Sequence, residues 1–352
     1  MKYIRESGLL PDDASIRLIT GGDEEEGLRC IDYYVKHAER LPDEAFVPDG
    51  YFPLVNAEKG LADFDLLFDL NRNAEAHPDA GAALDAEGGA EAVVQSLEGG
   101  TSRNITASAA RCTFSVTPGA RDAVQRKLKA EPELQVSETE SGFTVRTSGI
   151  PVHAMDPEKG KNALNVLFCG MKHSGIRFSI QPFLDAFTAA IGMTCHGELL
   201  DCCLRDSRSG VLTLNAGTVK FKDGIITLES NVRWPISFTY GKIRDTLFQR
   251  LARFGFYAEP RLVMPPLDIP ADSALVQKLM ESYREVTADF SREPFSIGGA
   301  TYARSIPNAV SFGPLFPYET ELAHQANEFL SVDSLRKMTE IYIIALEKLL
   351  KQ

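Results

Sequence analysis

Ile16-Arg17-Leu18-Ile19-Thr20-Gly21-Gly22-Asp23-Glu24-Glu25-Glu26-Gly27 is the stretch that decides the reading. Its first five residues predict a strand bounded by Asp12-Asp13 and Gly21-Gly22. A helical run from Leu28 to His37 follows, so four consecutive carboxylates fall at a strand-to-helix turn. Acidic runs ordinarily sit on solvated faces. At the carboxyl edge of a sheet they take another meaning, because like charges that close repel unless a cation offsets them, and carboxylates are hard ligands for divalent metals. Phe46-Val47-Pro48-Asp49-Gly50 predicts a second short strand running into a turn, which would bring Asp49 to the same rim. Such βα alternation implies a mostly parallel sheet with ligands bound beyond the carboxyl ends of its strands.

Outward from that stretch, residues 71–103 are rich in Ala, Gly, Asp and Glu and predict a small exposed helix or loop. A strand at about 110–116, a helix at 120–130 and a hairpin of 134–139 with 143–147 follow. A second hairpin joins 217–222 to 225–232 through Asp223-Gly224, a dipeptide that readily takes two positive φ angles. A helix at 242–254, with Ile243, Leu247, Leu251 and Phe254 on one face, stops at Gly255. The strand–helix order here partly echoes that of 110–130. The prolines of Met264-Pro265-Pro266 and Ile269-Pro270 mark a linker. Beyond it come a helix at 272–286, a strand at 309–312 and a last helix capped by Ser331, with Leu335, Met338, Tyr342, Ala345 and Leu349 on its buried face. The expected organisation is a discontinuous α/β domain, 1–62 with 267–352, and an inserted α+β domain, 63–266. Residues 1–7 predict a two-turn helix ended by Gly8, too short to be stable without packing partners.

Composition removes several classes. The 352 residues carry 37 basic and 49 acidic side chains, a net charge of −12 with no Lys/Arg cluster, which excludes a nucleic-acid or anionic-membrane surface. Neither a transmembrane segment nor a secretion signal is expected. The six cysteines, including adjacent Cys202-Cys203, form no disulfide framework and no C-x-x-C zinc motif, so reduced thiols in a cytoplasmic protein are expected. Of the six histidines, His37 and His173 follow helices and read as surface or packing residues. His77 sits in a polar loop with no strand before it. His324, after the 309–312 strand and in the same domain as the acidic run, is the best metal-ligand candidate, and His153 lies in the inserted domain.

Gly21-Gly22-Asp23-Glu24-Glu25-Glu26-Gly27 resembles the Gly-Thr-Asp-Glu-Glu-Thr-Gly motif of the M20 metallopeptidases, in their dipeptidase V-like (carnosinase-like) branch. Pro48-Asp49-Gly50-Tyr51-Phe52-Pro53, Gly298-Gly299-Ala300-Thr301-Tyr302-Ala303-Arg304 and Ala323-His324-Gln325-Ala326-Asn327-Glu328 are similar to three further signatures of that branch, in the same order along the chain. The resemblance implies a zinc-peptidase-like catalytic domain with an inserted lid. It makes Glu24 the general base and Glu25, Asp49 and His324 metal ligands. It makes His153, Arg233 in Asn231-Val232-Arg233-Trp234-Pro235, and Asn104 in Gly99-Gly100-Thr101-Ser102-Arg103-Asn104 contacts to substrate. Ile105-Thr106-Ala107 replaces the usual Val-Pro-Asp after Asn104, and Ala300 replaces the third glycine of a triple.

The implied activity is dipeptide hydrolysis with two zinc ions per site, manganese or cobalt being alternatives, in a cytoplasmic monomer acting on short peptides. The family also carries a His-x-Asp strand end and a metal-bridging aspartate upstream of the Glu-Glu motif. Here the sequence opens at what resembles the helix just before that motif, so the resemblance implies a catalytic domain incomplete at its N-terminus, inactive or weak on its own. N-acyl amino acid deacylation or desuccinylation, and a non-catalytic remnant binding peptides or a partner, are the alternatives.

Overall fold

The computed structural model describes residues 6–8, 10–22, 24, 27–72, 90–117, 119–322 and 327–351. The chain divides into two compact units, Met1–Lys59 with Pro266–Gln352, and Gly60–Pro265.

The first unit opens without its expected strand. Residues 15–20 form no ladder, and Leu18 is 75% exposed. An apolar run makes a strand only where a neighbour satisfies its backbone groups and covers its side chains, and among the described residues none does so here. The helix forms as expected, α1 at Arg29–His37, entered through Leu28 in the left-handed conformation (φ 61°). Next come β1 (Ala45–Val47) and β2 (Val55–Glu58), the latter buried at every position.

The inserted unit begins at β3 (Gly60–Asp69). Then follow β4 (Ala92–Gly99), β5 (Ala109–Val116), α2 (Arg121–Lys129), β6 (Gln135–Glu138) and β7 (Gly142–Ser148). Two helices, α3 (Ala163–His173) and α4 (Gln181–Ala190), lead to the short pair β8 (Arg205–Asp206) and β9 (Gly210–Val211), then β10 (Thr213–Lys222) and β11 (Ile225–Trp234). A helical run and β12 (Tyr257–Met264) complete it. Among the described residues these strands make one eight-stranded sheet, ordered β12-β3-β11-β10-β4-β5-β7-β6, with every neighbouring pair antiparallel.

Two expectations for this unit need correction. The 71–103 stretch is not all loop or helix: β4 lies within it, burying Ala92, Val94 and Leu97 on alternate sides of a bulge between Val94 and Ser96. Ala- and Glu-rich composition hid a short period-2 pattern. Residues 73–89, with His77, lie outside the described residues. The 242–254 helix starts at Tyr240 and is interrupted by a π-helical turn, Arg244–Phe248, between Tyr240–Ile243 and Gln249–Ala252. Ile243, Leu247 and Leu251 are nevertheless fully buried. The turn of the β10–β11 hairpin has positive φ at both Asp223 (51°) and Gly224 (78°), as its dipeptide predicts.

Helices α3 and α4 supply one side of the core. Residues 163–171 of α3 are buried on every face, against β5, β7 and β10. Phe168 packs edge-on to Phe183 (5.0 Å) and Phe187 (4.8 Å) of α4.

Back in the first unit, β13 (Leu267–Asp268), α5 (Ala274–Thr287), β14 (Phe295–Ile297), β15 (Ala309–Ser311) and α6 (Val332–Leu350) close the chain. The five-stranded sheet runs β1-β15-β2-β13, with β14 also on β2. The β1–β15 and β2–β14 pairs are parallel, and β2 pairs antiparallel with β15 and β13. The fold is α/β. Its second core gathers Phe52, Phe312 and Phe316 with Leu275, Leu279 and Tyr283 of α5 and Ile341 and Ala345 of α6. The buried face of α6 starts later than its spacing suggests. Leu335 is 47% exposed, whereas Ser334 is buried, its hydroxyl donating to Glu319 while its backbone NH bonds the cap Ser331. A polar anchor therefore sets the first turn, and apolar packing takes over from Met338 onward.

Candidate active site

In the first unit the acidic turn is seated by close packing. A Cβ on Gly21 would lie 2.4 Å from Tyr302 Oη and 2.5 Å from Cys30 Sγ, so any larger residue there must push those side chains aside. Cys30 Sγ and Tyr302 Oη are themselves 2.9 Å apart. The Gly-Gly start of the acidic motif thus rests on the 298–304 motif and on α1. Glu24 is half-buried in a turn, whereas Asp23, Glu25 and Glu26 lie outside the described residues.

Asp49 is exposed, two residues past β1, in a loop tied to the segment after β15. Ser311 Oγ donates to the Asp49 carbonyl (2.7 Å), the Leu315 and Gly313 amides donate to Gly50 and Tyr51, and Tyr51 Oη donates to Glu321 (2.6 Å). His324 and its neighbours 323–326 lie outside the described residues. His37 stacks on Tyr33 (4.0 Å) and His173 is exposed at the end of α3.

In the inserted unit the three residues singled out in the sequence come together. Arg233 is the next-to-last residue of β11 and is 4% exposed, and its Nη2 stands 3.4 Å from His153 Nε2. His153 pairs in an isolated antiparallel bridge with Ile105, and the Ala154 amide donates to the Asn104 carbonyl (2.7 Å). The Asn104 side chain accepts from Ser102 Oγ (2.5 Å). Asn215 of β10 holds the loop by donating to the carbonyls of Arg103 (3.0 Å) and Ile105 (3.1 Å). Thr213, opposite Arg233 in the ladder, donates to the Ala154 carbonyl (2.9 Å).

The sequence reading missed what aims Arg233. Its Nε donates to Asn231 Oδ1 (3.0 Å), and Asn231 Nδ2 donates to Asp63 Oδ1 (2.7 Å) on the facing strand. The signal is present as Asn231-x-Arg233, because residues two apart on a strand share a face. Burial pushes the Asp63 carboxyl above its usual range, against the Asn231 hydrogen bond and the Arg103 and Arg233 charges.

The His153–Arg233 approach has a chemical consequence. The Met155 amide lies 3.3 Å from His153 Nδ1, so that amide and the guanidinium both offer protons to one imidazole. Neutral histidine accepts at only one nitrogen. With its proton on Nε2, His153 meets Arg233 donor to donor. Two donors converging in this way suit a shared anionic oxygen.

Comparison with known proteins gives the class: this is a hydrolase, specifically a peptidase. The chain belongs to peptidase family M20/M25/M40, whose profile matches residues 1–348. A Bacillus subtilis (strain 168) protein named "Putative dipeptidase YtjP" is 32% identical over 358 residues, covering 100% of this chain and 73% of its own. A dipeptidase-named relative from Staphylococcus aureus (strain USA300) is 30% identical over 341 residues, 95% of this chain and 69% of its own. Among solved structures, the aminoacylhistidine dipeptidase from Vibrio alginolyticus superposes with a TM-score of 0.47 at 15% identity, over 89% of this chain and 66% of that one. Among the described residues, no helix is long and apolar enough to cross a membrane.

Proposed function

We propose that this protein is a metal-dependent dipeptidase that cleaves short peptides. Two things support the reading: the dipeptidase names of its relatives and, above all, the 3.4 Å approach of His153 Nε2 to Arg233 Nη2. Glu25, Asp49 and His324 offer two carboxylates and an imidazole, a donor set that suits zinc, with manganese or cobalt as alternatives. A zinc ion held there supplies Lewis acidity that brings the pKa of water to about 7. Glu24, beside Glu25 in sequence, then serves as general base, taking the proton from the attacking water and returning it to the leaving amine. Arg233 offers its planar guanidinium to a substrate carboxylate, and His153 donates from Nε2 to the anionic oxygen. Asn104 adds an amide from the loop joined to His153. The same reading makes the protein a cytoplasmic monomer, and size-exclusion chromatography with light scattering checks its oligomeric state.

The test is hydrolysis of unblocked dipeptides against N-acyl amino acids after zinc loading, with Glu24→Gln alongside. Dipeptides should be cleaved preferentially, and loss of the general base should slow turnover by roughly 10²–10⁴-fold. Preference for N-acyl amino acids would move the protein to the deacylase class. Peptide binding indifferent to both chelator and Glu24→Gln would make it a non-catalytic binder.

A further inference from the structure

The inserted unit holds a second group of metal-ligating side chains, in none of the motifs described above. Cys195 and His196 follow α4, and Glu158 lies in the 3-10 turn Pro157–Lys159. Their potential ligand atoms all lie within 4.8 Å of one another, with His196 Nε2 4.0 Å from Glu158 Oε2. All three line a cavity of about 370 Å³.

We propose that Glu158, Cys195 and His196 bind a zinc ion that staples the loop after α4 to the turn carrying Glu158. Two observations support it. First, His196 is already oriented as a ligand. Its Nδ1 is 2.8 Å from the Leu212 carbonyl, which can only accept, so the proton sits on Nδ1 and Nε2 presents its lone pair to Glu158 and Cys195. Backbone bonds fix the same loop, from the His196 amide to Glu198 Oε2 (2.7 Å) and from the Leu214 amide to the Cys195 carbonyl (2.7 Å).

Second, Asn165 of α3 lines the same cavity, is 7% exposed, and has a buried Oδ1 that no donor among the described residues reaches. A water completing a tetrahedron around zinc would supply that donor.

The donor chemistry selects the metal. One sulfur, one imidazole nitrogen and one carboxylate oxygen suit zinc, whereas calcium and magnesium take oxygen. Zinc bonds of ~2.0–2.3 Å at tetrahedral angles put ligand atoms ~3.3–3.8 Å apart, so the 4.0 Å pair needs to close only slightly. On binding, the S–H bond of Cys195 breaks and its proton passes to water as the zinc–sulfur bond forms. Glu158 enters as carboxylate and His196 as neutral imidazole, and nothing is oxidised or reduced.

Cobalt(II) alone, added to the metal-stripped full chain, tests this without any assay of turnover. A thiolate ligand gives a near-ultraviolet sulfur-to-cobalt charge-transfer band, which the sulfur-free Glu25, Asp49 and His324 set cannot produce. The band should appear in the wild type and in Cys203→Ser, vanish in Cys195→Ser, and weaken in His196→Ala. Zinc should also slow iodoacetamide labelling of Cys195 in the wild type, roughly tenfold or more, since the free thiolate is the reactive species. Trp234 fluorescence reports whether each variant's inserted unit is folded. No band in the wild type, a band that survives Cys195→Ser, or one lost with Cys203→Ser overturns the assignment, and labelling unaffected by zinc does so without recourse to a variant.

Discussion

Glu58 and Arg304 form an ion pair sealed from solvent, with Arg304 Nε 2.9 Å from Glu58 Oε2 and side chains 4% exposed for the arginine and 0% for the glutamate. Thr301 donates to the same carboxylate from its hydroxyl (2.7 Å) and its amide (3.2 Å), and Arg304 Nη2 bridges the carbonyls of Lys59 and Gly299. Burial pushes Glu58 up and Arg304 down, each towards its neutral form, and the mutual contact opposes both. The pair locks the 298–304 motif to the end of β2. Arg304→Met should therefore cost about 3–5 kcal/mol, because it strands a buried carboxylate, and Glu58→Gln in addition should recover part of that. The chain's single tryptophan, Trp234, lies in the inserted unit, so peptide-level hydrogen exchange across 55–58 and 295–304 is the appropriate readout. Unchanged protection in Arg304→Met would show that the pair holds nothing.

Arg233→Lys keeps the charge and removes the fork. If Arg233 receives a substrate carboxylate, the loss should be about 1.5–3 kcal/mol, roughly 10- to 150-fold in dipeptide affinity. C-terminally amidated dipeptides should lose little on the same substitution. Calorimetric titration of both ligand types measures this, and equal losses for both would remove the carboxylate from the account.

The loop bearing Asn104 depends on a glycine well away in sequence. A Cβ on Gly217 would come within 2.2 Å of the Ser102 carbonyl oxygen and 2.4 Å of Arg103 Cα, all rigid backbone. Gly217 falls at the register shift of β10 between Ala216 and Thr218. Gly217→Ala should displace residues 102–104 while β10 and β11 stay paired. The expected result is weaker peptide binding, by on the order of tenfold or more, with the Trp234 unfolding midpoint lowered by about 1–3 kcal/mol of overpacking. Full binding with full stability would mean the loop does not position Asn104.

Acid should reveal one hydrogen-bonded carboxylate. Asp206 Oδ1 accepts from the Ser209 amide (2.6 Å) and hydroxyl (2.9 Å), and Oδ2 from the Ser237 amide (3.1 Å) and hydroxyl (2.8 Å). Partial burial raises its pKa, but these donors prevail and bring it from the usual 3.8 to about 2. A folded value below the unfolded one gives stability that is present above pH 3.8 and lost as pH falls towards 2. Asp206→Asn should be less stable than wild type by about 1–2 kcal/mol near neutrality, the worth of one or two hydrogen bonds. That gap in urea midpoint should narrow below pH 4, and a gap constant down to pH 3 would contradict the assignment.

Elements whose local pattern and tertiary environment agree were legible in the sequence. The Asp223-Gly224 hairpin, the Ser331 cap and the apolar stripe from Ile243 to Leu251 each carry their cause within a few residues. The 16–20 segment was misread because a strand needs a partner, and no local pattern supplies one. Leu335 was misread because helical spacing defines a face without saying where along it the neighbour begins. At the candidate site, His153, Arg233 and Asn104 were singled out from motifs, and the structure brings them together. The Asn231–Asp63 support behind Arg233 was not foreseen, since it depends on the register between β11 and β3. Glu158 and Cys195-His196 escaped for a related reason: their 37-residue separation in sequence is closed only by the packing of the inserted unit.

The inserted unit enters on β3 and leaves on β12, and these strands pair, with Leu61 opposite Met264. Once that sheet has formed, Lys59 and Pro266 are joined by the equivalent of a tight loop. Left unfolded, roughly 200 intervening residues would burden closure of the host sheet by about 3.5 kcal/mol relative to a loop of about four. Synthesis order therefore suits assembly, because the insert can condense before the C-terminal strands emerge. The paired ends also make the junction a natural splice point, where the whole inserted unit could be exchanged between relatives as a cassette.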